Sequence, residues 1–266
     1  MSRHLGLDLG GTYVKWVVLK DGVVATQGQQ KTRAAAGPEA VIERLIAAGQ
    51  EAGPVDTVGI GVPGLFDGAT GAVTFLTNVS GDWKGRPVAR PVGDALGAPA
   101  RLINDARAFA LAEWKLGAAR GCDTAVFAVV GTGVGGGIVV GGAPHEGREG
   151  RAGELGHQTI DPAGPLCGCG NRGCVEAFVR AALEAKDVPL AGKLLGIGLG
   201  NAIVLLAPDR IVVGGGVAVA GERLLRPLRR EIARRVHVSV PVEVVPAGLG
   251  VFAGAIGAAL RGAEPQ

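Results

Sequence analysis

The sequence predicts an α/β protein built from two similar halves that face each other across a cleft, and three observations predict it. Glycine clusters stand at the ends of apolar strands, a strand–glycine turn–strand unit occurs twice about 120 residues apart, and helix-length apolar segments separate the strands. The 47 glycines among 266 residues follow no collagen-like or linker period. Their place at strand ends suits sharp turns and close backbone approach to a ligand.

The first half opens with LGLDL as an alternating strand, GGT as a tight turn and VKWVVLK as a second strand. VVATQGQQK is a third strand, and a helix over roughly 38–52 follows, with Pro38 suited to a first helical position. VDTVGIGVP is a strand ending at Pro63-Gly64, and RLIND is a strand that leads into the helix ARAFALAEWKLG. The second half repeats the opening with TAVFAVV, GTGVGGG and IVVGG. DRIVVGGGVAVAG then runs from strand into glycines and a helix over roughly 221–236, VEVVPAG is the last strand, and VFAGAIGAALRG the last helix. The expected division is 1–107 plus the C-terminal helix 252–266 for a small α/β domain, and 108–251 for a larger one.

Composition narrows the class. With 47% hydrophobic and 19% charged residues the chain can bury a core, which excludes a disordered protein. The net charge of +3 is dispersed, and the basic run Arg226 to Arg235 alternates with apolar residues as a solvated helix face does. Neither a nucleic-acid partner nor a membrane is expected, since no uninterrupted apolar run of about 20 residues is read. A cytoplasmic protein is the expectation. Three of the four Cys fall within eight residues, which in a reducing compartment points to metal rather than disulfides. Cys122, outside that group, reads as a small buried hydrophobe.

Four segments carry chemistry. In Asp8-Leu9-Gly10-Gly11-Thr12, backbone N–H groups can approach phosphate oxygens and the Thr hydroxyl adds a donor, while Asp8 can hold Mg²⁺ through water; an ordinary hairpin turn is the plain alternative. Gly131 to Gly137 contains G-x-G-x-x-G, but a strand follows where a dinucleotide site needs a helix, so a phosphate-binding hairpin fits better. Gly214-Gly215-Gly216 ends a strand before a helix, where glycines admit a flat adenine ring or merely allow tight packing. Asn104-Asp105 sits at a strand–helix junction, where Asp105 is either a helix cap or a carboxylate base.

The most specific stretch is Gly153-Glu154-Leu155-Gly156-His157 followed by Cys167-Gly168-Cys169 and Cys174-Val175-Glu176. One His and three Cys, spaced by ten, two and five, can form a closed Cys₃His site for structural Zn²⁺: His157, Cys167, Cys169 and Cys174.

Together these motifs resemble the ROK sugar kinases of the zinc-containing, glucokinase-like type, within the actin-like and hexokinase ATPase superfamily of ribonuclease H-like fold. The resemblance covers nearly the whole chain, from D-L-G-G-T to the last helix. It implies that Gly10, Gly11, Thr12, Thr132 and Gly133 bind ATP phosphates and that Gly214 to Gly216 lie beside adenosine. It makes Asp105 the general base toward a hexose 6-hydroxyl, with Asn104, Glu154, His157 and Glu176 on the sugar. Gly64 and Asn78 are expected to complete the sugar pocket, whereas Trp83 reads equally as core. Glucose is the first choice of substrate, with an N-acetylated hexosamine, mannose or fructose as alternatives and polyphosphate as an alternative donor. A homodimer or higher homo-oligomer is implied as well.

Two departures stand out. The link from Glu176 to Ile211 is shorter than the family pattern, and Tyr13 follows Thr12 where a small or basic residue is common. A non-catalytic sugar-sensing regulator is the alternative of another class. Such a regulator carries a helix-turn-helix ahead of the first phosphate motif, which here starts at Asp8.

Overall fold

The computed structural model describes residues 2–76, 79–238 and 240–265. They form two compact units: unit 1 is Met1–Ala112 with Phe252–Gln266, and unit 2 is Glu113–Val251.

Unit 1 begins with β1 (Arg3–Leu9), β2 (Tyr13–Lys20) and β3 (Val23–Lys31), then α1 (Pro38–Ala52) and β4 (Thr57–Val62). After β5 (Gly64–Asp67), β6 (Ala72–Leu76) and β7 (Arg86–Pro87) come α2 (Ala89–Leu96), β8 (Ala100–Asn104) and α3 (Asp105–Lys115). The main sheet has the order β3-β2-β1-β4-β8. β2 is antiparallel to β1 and β3, while β1, β4 and β8 are parallel.

The alternation of LGLDL dictates how this sheet packs. Leu5, Leu7 and Leu9 share one face and are fully buried in a cluster with Val41, Leu45 and Ala48, the apolar stripe of α1. Gly6 faces the other way, toward the C-terminal helix. A Cβ on Gly6 would stand 1.8 Å from Ala255 O, and one on Gly59 of β4 1.7 Å from Ala258 O. That helix therefore lies directly on the strand backbones, an approach that any larger residue would block. The small antiparallel sheet β5-β6-β7 has no counterpart in the strands predicted from sequence.

Unit 2 contains β9 (Ala125–Val130), β10 (Val134–Val140), β11 (Ala143–Pro144), α4 (Val175–Glu184) and α5 (Val188–Leu206). β12 (Arg210–Gly214), α6 (Glu222–Arg235) and β13 (Glu243–Pro246) follow, and α7 (Ala253–Ala263) returns to unit 1. The sheet order β11-β10-β9-β12-β13 repeats that of unit 1, with an antiparallel hairpin first and parallel strands after it. Val126, Ala128 and Val130 pack with Leu195, Leu199 and Ile203 of α5 and with Leu224 and Leu228 of α6.

Contrary to the sequence expectation, α5 is long and apolar enough to cross a membrane, with 19 residues at a mean hydropathy of 1.6. Half of it is buried, however, and Leu195 and Leu199 are each 1% exposed, so here it serves as the central helix of unit 2. Cys122 is half-buried rather than buried, and its carbonyl accepts the Trp114 indole N–H at 3.0 Å. Trp83 is core: it is 3% exposed, and its indole N–H reaches Val79 O at 3.1 Å.

Candidate active site

In unit 1, three adjacent parallel strands end side by side. Asp8 on β1 is opposite Gly61 on β4, and Val62 is opposite Asn104 on β8. The C-terminal edge of such strands is where open α/β sheets present groups to ligands. Asp105, the next residue, opens α3.

The cap at α3 falls to Asn104. Its Oδ1 accepts from Ala106 N at 3.1 Å and Arg107 N at 3.2 Å, and its Nδ2 donates to Gly64 O at 3.2 Å. One amide thus satisfies the start of α3 and ties it to the turn at Pro63-Gly64. Asp105 Oδ1 accepts from the neighbouring Ala106 N at 2.8 Å. Asn78 lies outside the described residues.

The first glycine hairpin is closed by Gly10 N donating to Tyr13 O at 3.0 Å. Thr32 holds it from behind: its hydroxyl donates to Gly10 O at 2.6 Å and its N–H to Thr12 O at 3.0 Å. Thr32 is completely buried, and no motif in the sequence singles it out. Gly11 and Thr12 are left exposed at the tip. Asp8 sits at the N-terminus of α7, where a Cβ on Gly254 would lie 2.8 Å from Asp8 Oδ2, and Lys15 Nζ is 4.0 Å away. Burial raises the Asp8 carboxyl above its ordinary range, and the Lys15 charge only partly offsets this.

In unit 2 the second hairpin joins β9 to β10, with Thr132 exposed at its tip and Gly131 N bonded to Gly133 O at 3.0 Å. The third glycine cluster ends the neighbouring strand β12. Gly215 has φ 88°, and a Cβ there would stand 2.4 Å from Val130 O, so only glycine lets this turn lie against the end of β9. A 3-10 turn over Gly216–Ala220 then leads to α6.

His157, Cys167, Cys169 and Cys174 converge, with one ligand atom from each lying within 4.8 Å of all the others. Cys169 Sγ is 3.7 Å from Cys174 Sγ, and Cys167 Sγ is 3.7 Å from His157 Nδ1. Ligands about 2.3 Å from a tetrahedral ion are separated by about 3.8 Å, so the donor set fits zinc in spacing and in chemistry. Burial, with its hydrogen bonds to the other two sulfurs, pushes the Cys174 thiol up to about 12, and burial also raises Cys167. Backbone N–H donation at Asn171 lowers Cys169. Three crowded thiols resist ionising together unless a cation takes them as thiolates.

Glu154 is exposed beside this group, whereas Glu176 turns inward from the first turn of α4. Its Oε2 accepts from Val134 N at 2.9 Å, and its Oε1 lies 3.7 Å from Cys167 Sγ. The family resemblance implies a sugar contact for Glu176; the structure places its carboxylate against the second glycine hairpin.

The ROK family model matches residues 4–188 and 182–261. The chain belongs to the ROK family. The two ROK stretches overlap at the turn between α4 and α5, inside the link from Glu176 to Ile211. A glucokinase of Thermotoga maritima is 34% identical over 97% of this chain and 96% of its own. The crystal structure of a ROK hexokinase from Thermus thermophilus matches with TM-score 0.83 at 34% identity, covering 98% of this chain and 97% of that one. A ROK family glucokinase from Streptomyces griseus, in complex with glucose and AMPPNP, matches with TM-score 0.86 at 29% identity, covering 98% and 99%. The chain has the α/β actin-like ATPase fold of these ROK kinases.

Proposed function

We propose that this chain is an ATP-dependent glucokinase that transfers the γ-phosphoryl of ATP to the 6-hydroxyl of glucose, with Asp105 as general base. The observation that carries the reading is the junction of β8 and α3. Asn104 caps α3 and is tied to the turn at Gly64, and this sets Asp105, the first residue of α3, beside the ends of three parallel strands, where a carboxylate can meet a ligand. The likeness to glucokinases over the whole chain supplies the substrate class.

On this reading Asp105 receives the 6-hydroxyl proton as the sugar oxygen bonds to the γ-phosphorus, and the bond from that phosphorus to the β,γ-bridging oxygen breaks to release ADP. Gly10, Gly11, Thr12, Thr132 and Gly133 offer N–H and hydroxyl donors to the phosphates, and Gly214, Gly215 and Gly216 border adenosine. Glu154, His157, Glu176 and Asn104 bind sugar hydroxyls, with the turn at Gly64 held in place by Asn104. Asp8 would hold Mg²⁺ through water, and that ion supplies charge neutralisation at the phosphates. His157, Cys167, Cys169 and Cys174 would hold a structural zinc, which fixes the loop carrying Glu154 and the start of α4. His157 Nδ1 faces the cysteines, leaving Nε2 for the sugar side. The cytosol is the compartment that offers ATP together with reduced thiols, and a homo-oligomer is part of the same proposal.

Coupled ADP release across a hexose panel, with ATP and with polyphosphate, tests the reading. Glucose with ATP should give the highest kcat/KM, and absence of turnover with every hexose in folded protein would refute it. Asp105→Ala should keep glucose affinity and lose about 10²–10⁴ in kcat; a near-normal kcat removes Asp105 from the role.

A further inference from the structure

Val134, the first residue of β10, is gripped on both of its backbone polar groups by residues that flank metal-group members. Its N–H is taken by Glu176, two positions after Cys174, at 2.9 Å. Its carbonyl is overlain by Gly156, next to His157, where a Cβ would stand 2.0 Å from Val134 O. The adjacent Gly133 is shaped by the same carboxylate, since a Cβ there would lie 2.4 Å from Glu176 Oε2. A larger residue at Gly133 would therefore have to displace the Glu176 carboxylate. Val134 itself is 4% exposed, so the grip is sheltered from water, where a backbone N–H without an acceptor is costly.

We propose that Glu176 is a positioning residue for the nucleotide: through Val134 it couples the sugar-side loop to the phosphate hairpin, so that glucose and ATP each tighten the other's binding. The proposal rests on the reading of Thr132-Gly133 as a phosphate site and of Glu154, His157 and Glu176 as a sugar site. Glucose that orders the Glu176 carboxylate also fixes Val134 N, and with it the strand end from which Thr132 and Gly133 project. Linkage makes the effect reciprocal: a hairpin already fixed by ATP presents Glu176 to the sugar in place.

Binary binding measurements on the metal-loaded protein separate this coupling from a purely local sugar contact. Glu176→Asp keeps the charge but is one methylene too short for Val134 N, and it should weaken AMPPNP binding in the absence of sugar by about tenfold. Glu176→Gln keeps an oxygen for Val134 N and should restore AMPPNP affinity to near wild type, whatever it does to glucose. Gly133→Ala, a change in the phosphate hairpin, should weaken glucose binding measured without nucleotide. Equal AMPPNP affinity for Glu176→Asp and wild type would overturn the proposal, as would unchanged glucose affinity in Gly133→Ala.

Amide exchange in the wild-type protein needs no variant: glucose alone should slow exchange over residues 131–136. Glucose that binds without slowing that segment also overturns it. Failure of the functional reading looks different, since wild type then binds no glucose while the contrast of Glu176→Asp with Glu176→Gln toward AMPPNP still decides whether Glu176 supports the hairpin.

Discussion

The two units share one strand plan but brace their glycine hairpins in opposite ways. In unit 1 the hairpin is held by a neutral residue of its own sheet region, Thr32, whose hydroxyl and N–H reach Gly10 O and Thr12 O. In unit 2 the charged Glu176 of α4, outside the sheet, takes Val134 N, while Gly215 at the end of β12 packs against Val130. A self-contained brace keeps a loop in one state. A brace borrowed from a segment that binds a ligand of its own would let the two respond together, which is the physical content of the coupling proposed above.

Metal removal should separate the units most strongly. If the Cys₃His group holds zinc, then chelation, or Cys174→Ser, takes away a cross-link on which the loop before α4 depends. Zinc-finger peptides gain roughly 10–16 kcal/mol from their metal; unit 2 has its own core and should lose less, yet more than from any single substitution below. Hydrogen exchange during chelation should show protection falling across residues 153–184 while the β1–β4 core of unit 1 is retained. Uniform loss in both units would erase the distinction.

Next comes a pair of glycines one residue apart. Gly215→Ala combines a positive φ with a Cβ 2.4 Å from Val130 O, both rigid constraints, and should destabilise by about 2–4 kcal/mol. A Cβ on Gly216 meets nothing within 4 Å, so Gly216→Ala should stay within about 0.5 kcal/mol. Urea midpoints of the two variants check this directly, and similar midpoints would show that the β12 turn is free to move away from β9.

Thr32→Val tests the brace of unit 1. It keeps the shape but leaves Gly10 O without its 2.6 Å donor, in a place where Thr32 is fully buried. The expected loss is about 1–3 kcal/mol, with a rise in the KM for ATP. A KM rise without loss of stability would mean that the hydroxyl orders only the hairpin tip.

How much of this was legible in the sequence differs between strand plan and braces. Period-2 alternation in LGLDL and the repeated strand–glycine–strand pattern announce the α/β fold, because backbone pairing and face alternation follow from local composition. Pro38 marks the start of α1 for the same local reason. The Cys and His spacing announces a metal group, since few other arrangements need three thiols and an imidazole so close. Thr32 and Glu176 were not legible as braces. Each acts on backbone 20 or more residues away, through contacts that only the finished sheet creates: 22 positions from Thr32 to Gly10, 42 from Glu176 to Val134. Asn104 is intermediate, because a strand–helix junction advertises a cap but not which of two adjacent side chains provides it. Glu113 is a further case: fully buried, it accepts N–H bonds from Ala118 at 2.8 Å, Gly248 at 3.0 Å and Leu249 at 2.8 Å, so it fastens the beginning of unit 2 to its end.

The smallest expected effect concerns Asp8, and it sharpens the contrast between a neutral brace and a charged group beside it. Burial raises the folded-state value of Asp8, so between the ordinary Asp range and that higher value the folded chain binds more protons than the unfolded one. The contribution of Asp8 to stability therefore falls as pH rises through that window and stays low above it. Asp8→Asn removes the titrating group while keeping the shape, so relative to wild type it should gain stability as pH goes from below the ordinary Asp range to neutrality. Urea midpoints of the two proteins at several pH values give the difference, and a difference that shrinks with rising pH would mean that Lys15 outweighs burial. If Asp8 holds Mg²⁺ through water, the same variant should lose kcat/KM at saturating Mg²⁺ even where it is the more stable protein, since a group that serves binding can be kept at a cost in stability.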